Sequence, residues 1–158
     1  MATASTVDPD FGTTATKGGD GKKAGHRIQC VVVTPERVLF DELVDFVALP
    51  LSDGELGVLP GRAPLIGRLG FGELRTTSGG STKRYFVDGG FAEVRDDVVN
   101  VLTGRAIPAA SVDAASATSE LERAKERKAS NEQEVADRNR ALDRARAQIR
   151  IASRGDKG

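Results

Sequence analysis

Between Arg27 and about Pro108 the apolar positions fall in short runs of β-forming residues, each closed by turn residues: "RIQCVVVTP", "RVLFDE", "VDFVALPL", "GELRTT", "KRYFVDGG", "FAEVR" and "DVVNVLTG". Alternation with period 2 dominates. In "VDFVALPL" Val44, Phe46, Ala48 and Leu51 are assigned to one face, though not in strict alternation, and the nearly continuous apolar run of "VVNVLTG" predicts a strand covered on both sides. The glycines of "SDG" (Ser52 to Gly54), "SGG" (Ser78 to Gly80) and "DGG" (Asp88 to Gly90) mark turns that need positive φ. Regular turn spacing, with no helical stretch between the strands, predicts an antiparallel β-sandwich or a flattened barrel.

Beyond "AIPAAS" the period changes. Ala, Glu, Arg and Lys dominate, and neither glycine nor proline interrupts residues 109–154. Two antiparallel helices are expected. Ser111 would cap the first, a turn falls near Lys128 to Ser130, and the Ser-x-x-Gln form of "SNEQ" starts the second near Asn131. Val135, Leu142 and Ile149, joined by Ala145 and Ala152, form a narrow stripe to pack on Ala117, Leu121 and Ala124. So small a buried area makes a weakly held pair whose docking can change. The fold class is therefore α+β. A flexible leader (1–26) with little to bury precedes the sandwich (27–108), which is followed by the helical hairpin (109–154) and a short tail (155–158). An organelle-targeting leader is disfavoured, since Asp8, Asp10 and Asp20 precede any arginine.

Charge and composition narrow the functions. Lysine and arginine number 23, as do aspartate and glutamate, so no net field draws the chain to nucleic acid or to a membrane. Aromatic residues make up only 4% of the chain, and tryptophan is absent, which leaves few stacking platforms for single-stranded nucleic acid. The single cysteine, Cys30, reads as a small buried hydrophobe in a reducing compartment. The single histidine, His26, reads as a solvated linker residue without companions for a zinc site.

Catalytic chemistry has no visible carriers. "GELGVLPG" lacks the Gly-Lys-Ser/Thr ending of a P-loop, and Pro64 follows where a helix would hold phosphate. No serine has a histidine partner, and Asp96–Asp97 reads as a solvated hairpin turn. No catalytic residue, cofactor or metal is assigned. What remains is presentation: Pro60 and Pro64 fix φ on either side of Gly61, so "PGRAP" should hold Arg62 outward on a stiff tip beside Glu55.

Three segments carry a resemblance: "DGELGVLPGRAPLIGRLGFGELR", "YFVDGGFAEVRDDVVNVL" and a helical hairpin containing "ARAQIR". Over roughly Ile28 to Ile151 the chain resembles the epsilon subunit of the F-type ATP synthase, called delta in mitochondria. The resemblance implies a non-catalytic rotor subunit at the foot of the central stalk, joining the gamma subunit to the c-subunit ring. Membrane association would come only through that ring. The expected location is the cytoplasmic face of the bacterial inner membrane, with an organelle inner membrane as the second reading. Glu55 and Arg62 would lie on the ring-facing edge; relatives commonly have histidine at the position of Arg62.

The resemblance also implies that the hairpin can extend along gamma toward the alpha and beta subunits and suppress ATP hydrolysis. Arg146, Arg150 and Arg154, with Arg140 and Arg144, form two basic rows that would meet an acidic segment of beta. A nucleotide motif of some relatives, Ile/Leu-Asp-x-x-Arg-Ala, is degenerate here. Asp113 and Ala117 are kept, but Ser116 replaces the arginine, which predicts negligible ATP binding by the isolated subunit at millimolar nucleotide. Two other classes stand beside the rotor reading: a β-sandwich ligand-binding module with a coiled-coil adaptor tail, and a small enzyme of unrecognised type.

Overall fold

The described residues form eight strands, β1 (Ile28–Val33), β2 (Val38–Val44), β3 (Phe46–Leu51), β4 (Gly54–Val58), β5 (Leu65–Ser78), β6 (Ser81–Arg95), β7 (Val98–Leu102) and β8 (Ala106–Pro108), of which β4, β8 and the first half of β5 lie outside the predicted β-forming runs. The structure, a computed structural model, describes residues 25–155. The expected leader, apart from Gly25 and an exposed His26, and the tail beyond Gly155 lie outside the described residues. The strands make one sheet in the order β2-β1-β7-β6-β5-β3-β4, with β8 added on β6. Pairing is antiparallel except between β1 and β7, which run parallel, a departure from the all-antiparallel expectation. The sheet folds over on itself. Cys30 and Val32 of β1 and Val99 and Val101 of β7 share one core with Val47 and Leu49 of β3, Leu74 of β5 and Val87 of β6.

The two longest strands turn the corner between the layers. On β5 both Leu69 and Leu74 enter the core, and on β6 both Val87 and Ala92 do, although each pair is five residues apart. An odd spacing inverts the pleat, so each strand changes face as it passes from one layer to the other. Gly89 (φ +67°) and Gly90 (φ +112°) make the inversion on β6, and a Cβ on Gly90 would stand 1.9 Å from the Leu102 carbonyl oxygen. "DGG" is thus a corner inside one strand, where the sequence predicted a turn between strands.

Two other expectations shift. In β3 the core face is Val47 and Leu49, because the bend at Asp45 resets the phase after Val44. β7 is covered on one side only, with Val99 and Val101 buried and Leu102 exposed.

The helices α1 (Ala114–Glu126) and α2 (Glu132–Gly155) follow a 3₁₀ turn at Ala109–Ser111. Ser111 is spent in that turn. The cap of α1 is Asp113, whose Oδ1 accepts from Ala115 N at 3.0 Å. The cap of α2 also falls one residue later than predicted: Asn131 Oδ1 accepts from Glu134 N at 2.8 Å, while Glu134 Oε2 accepts from Ser130 N at 2.7 Å. α1 packs on α2, and α2 packs on β5 and β6. Of the predicted stripe only Ala145 is fully buried, and Val135 is exposed. A further contact was not foreseen: Ala147 and Ile151 form a second core with Phe86 and Ala109, ringed by Phe71, Ile107 and Val112.

Candidate functional site

The tip is held by a turn and by one long-range bond. Arg62 N donates to Leu59 O at 3.3 Å, with Pro60 and a positive-φ Gly61 (+84°) between them, the pattern of a type II turn. Gly61 N then donates to Asp97 Oδ1 at 2.7 Å. Asp97 occupies the β6–β7 turn, where it and Asp96 both have positive φ (59° and 50°), as a type I′ hairpin requires. The carboxylate read as solvated therefore pins the "PGRAP" loop to the neighbouring hairpin. Arg62 is left exposed on a fixed backbone.

Glu55 lies elsewhere. It is opposite Pro50 near the start of β4, so three residues of strand, roughly 10 Å, and the turn separate it from Arg62. Its carboxylate bonds Arg75 Nη2. Arg75 Nε stands 3.7 Å from Glu73 Oε1, and Glu73 Oε2 accepts from Arg84 Nη2 at 2.6 Å. Arg75 and Arg84 are direct cross-strand partners, and the buried Glu73 relieves their repulsion. Its hydrogen bond holds the Arg84 guanidinium above its ordinary pKa. The four groups form a ladder that fixes Glu55.

The hairpin has its own polar anchor. Arg144 Nε donates to Asp88 Oδ1 at 3.0 Å, and its guanidinium carbon lies 5.3 Å from the Phe71 ring centroid. Arg144 is thereby engaged with the sandwich. Arg140, Arg146 and Arg150 lie along α2 facing a cleft beside β5, and Arg154 is exposed in the last turn. At the start of α1, Asp113 is the helix cap, Ser116 is exposed and Ala117 is buried.

A third surface was missed altogether. Phe91 and Leu102 are direct partners on β6 and β7, 56% and 55% exposed, and Ile66 on β5, 78% exposed, pairs with Glu93 two residues from Phe91. Together they make an apolar strip across three strands, larger than the single scattered hydrophobes that need no explanation. An exposed Phe opposite an exposed Leu was the available signal. Among the described residues no group of three or more His, Cys, Asp or Glu side chains could hold a metal ion, and no helix is long and apolar enough to cross a membrane.

This architecture has known relatives. The model of the ATP synthase delta/epsilon chain β-sandwich domain matches residues 27–109. The ATP synthase epsilon chain of Rhodopirellula baltica is 57% identical over 125 residues, 79% of this chain and 98% of its own length. That of Desulforamulus reducens is 41% identical over 120 residues, 76% and 86% of the two chains. Among solved structures, a chain of the Euglena gracilis mitochondrial ATP synthase, in an assembly of OSCP, F1 and c-ring, superposes with a TM-score of 0.69 at 25% identity. That match covers 95% of this chain and 92% of the other. A chain of the Tetrahymena thermophila central stalk and c-ring shares the fold, with a TM-score of 0.65 at 11% identity over 80% and 97%. With its sandwich and C-terminal helices, the chain belongs to the ATP synthase epsilon-chain family, non-catalytic subunits of the central stalk.

Proposed function

We propose that this chain transmits rotation from the c-subunit ring to the gamma subunit and the catalytic head of a proton-translocating ATP synthase. On this reading it sits on the cytoplasmic side of a bacterial inner membrane and reaches the membrane only through the ring. The sandwich is the transmitting part. The ring-facing groups are Arg62, whose backbone is pinned to the β6–β7 turn through Gly61, and Glu55, whose carboxylate is held in the charged ladder; both are solvent-exposed. A side chain already ordered loses little entropy when it meets a partner, and a rigid contact is what torque requires.

The apolar strip of Ile66, Phe91 and Leu102 carries the proposal, because a stalk subunit needs a permanent partner and nothing among the described residues covers this strip. Gamma is the partner assigned to it. The helical hairpin is the regulatory part: released from the sandwich, it would extend along gamma and place Arg140, Arg144, Arg146, Arg150 and Arg154 toward alpha and beta, suppressing hydrolysis. Its attachment through one small apolar core and one ion pair suits an element that docks and undocks.

Binding of the full chain to purified gamma tests the strip. Phe91→Asp places a charge at its centre and should weaken gamma binding at least about tenfold, whereas Val38→Asp, an exposed position on β2, should leave it unchanged. Gamma binding equal to the parent's in a folded Phe91→Asp protein would show that another face meets gamma.

A further inference from the structure

The connection from β4 to β5, residues 59–64, passes from one layer of the sandwich to the other. β4 is an edge strand held only by β3, whereas the first residues of β5 pair with the end of β6, Leu65 opposite Val94. Every residue of the connection except Pro60 is exposed. Among the described residues it makes two hydrogen bonds. One, from Arg62 N to Leu59 O, closes its own turn, and the other, from Gly61 N to Asp97 Oδ1 at 2.7 Å, is its single bond to the rest of the molecule.

Asp97 is itself well anchored. Its carbonyl accepts from Gln29 N at 2.9 Å, and at the far end of β7 Thr103 N donates to Val33 O at 3.0 Å, so the β6–β7 hairpin is clamped to β1 at both ends. The same hairpin carries the exposed pair Phe91 and Leu102. From that pair to the pair of Arg95 and Val98 beside the turn the ladder is uninterrupted, a paired length of roughly 14 Å. One rigid unit thus has the strip assigned to gamma at its base and the anchor of the ring-facing tip at its turn. We infer that the β6–β7 hairpin is the member that joins the gamma contact to the ring contact, and that Asp97 is a positioning residue, which holds Arg62 in place through the Gly61 amide. This rests on the two contacts proposed for the sandwich.

The bond matters because Arg62 has little to offer alone. An exposed ion pair returns little free energy, and ordering even a few loop residues on contact costs as much or more. A tip already held by a charge-assisted bond avoids that cost. The site also allows the bond, the charge and the turn to be separated. Asparagine at position 97 keeps an acceptor oxygen for the Gly61 amide and tolerates the positive φ of 59°, whereas glycine keeps the turn without strain and leaves the amide to water. Asp96 is the natural control, an exposed carboxylate in the same turn whose partner is Arg95, at 3.4 Å.

Two measurements test this. In the full chain, amide hydrogen exchange followed by NMR and corrected for sequence should show Gly61 exchanging about tenfold more slowly than Ala63, whose amide has no partner among the described residues. That protection should vanish in Asp97→Gly and survive in part in Asp97→Asn, while the Gln29 and Thr103 amides stay protected and so report an intact fold. In vesicles holding the complete ATP synthase, proton pumping per ATP hydrolysed should fall in Asp97→Gly and stay near the parent's in Asp97→Asn and Asp96→Asn. Because Asp97 acts through Arg62, adding Asp97→Gly to Arg62→Glu should cause no further loss. Gly61 exchange equal to that of Ala63 in the parent, a further loss in the double variant, or an equal loss in Asp96→Asn would each overturn the inference. Normal pumping in Asp97→Gly beside impaired pumping in Arg62→Glu would remove the positioning role and leave the ring contact standing, whereas normal pumping in both would remove the ring contact and this inference with it.

Discussion

Replacing Arg144 by alanine removes the polar anchor of the hairpin and leaves its apolar core in place, so it measures how the two share the docking energy. The Arg144–Asp88 bond is 3.0 Å long, but the arginine side chain is 42% exposed, and solvent screening limits such a pair to about 1 kcal/mol or less. The Phe71 contact adds roughly 0.5–1 kcal/mol. A loss of about 1–2 kcal/mol is therefore expected, raising the undocked fraction some five- to thirtyfold. Ile151 is 2% exposed within the second core, and its truncation to alanine should cost about 2–5 kcal/mol. The apolar contact should outweigh the ion pair.

Ala109, buried under α2, is a site for a reporter: in an Ala109→Cys background the rate of thiol labelling follows the undocked population. The native thiol stays silent, because Cys30 is fully buried and its pKa is pushed up to about 12, chiefly by burial. Arg144→Ala should accelerate labelling five- to thirtyfold, less so when the reference is measured in high salt, and Ile151→Ala should accelerate it more. Labelling within twofold of the parent in Arg144→Ala, or a larger effect there than in Ile151→Ala, would refute this division of energy.

Arg62→Glu reverses the charge of the tip without touching the core; in reconstituted vesicles ATP-driven proton pumping should fall while hydrolysis by the detached head is unchanged, and unaltered pumping would count against the ring contact. Gly90→Ala should prevent folding, since its Cβ would overlap the Leu102 carbonyl, whereas Gly104→Ala, with nothing within 4 Å, should fold; circular dichroism separates the two. A raised thiol pKa favours the protonated form in the folded state, so the contribution of Cys30 is fully present below its ordinary value of 9.0 and is lost as pH rises toward about 12. Denaturant midpoints between pH 8 and 10.5 should fall more steeply with pH in the parent than in Cys30→Ala, and parallel slopes would contradict the shift.

The strands were legible because β-branched runs and glycine turns are local signals, and the helices because alanine, arginine and glutamate dominate an uninterrupted stretch. The errors came where a local signal has two meanings. "DGG" supplies positive φ equally to a hairpin turn and to a corner within a strand; only the partner of Gly90, the Leu102 carbonyl twelve residues on, decides between them. Ser111 and Asp113 are both good caps, and the 3₁₀ turn after Pro108 consumes the first. Side chains that act over long separations left no pattern at all: Gly61 and Asp97 are 36 residues apart, and Arg144 and Asp88 are 56 apart. The resemblance could point to Glu55 and Arg62, but not to what holds them.

The inverted pleat of β5 and β6 connects these features. Because each strand changes face at its glycines, residues on the two sides of the corner serve different surfaces of one sandwich. On β6, Phe86 and Asp88 precede the corner and receive α2 through Ile151 and Arg144, whereas Phe91 follows it and joins the exposed strip with Leu102. On β5, Ile66 precedes the inversion and joins that strip, while Phe71 beyond it meets the hairpin. A strand with unbroken alternation would put the apolar residues of both halves on one face, leaving either the core or the hairpin without them. The corner glycines thus let a small sandwich offer one outer surface to a movable hairpin and another to a fixed partner.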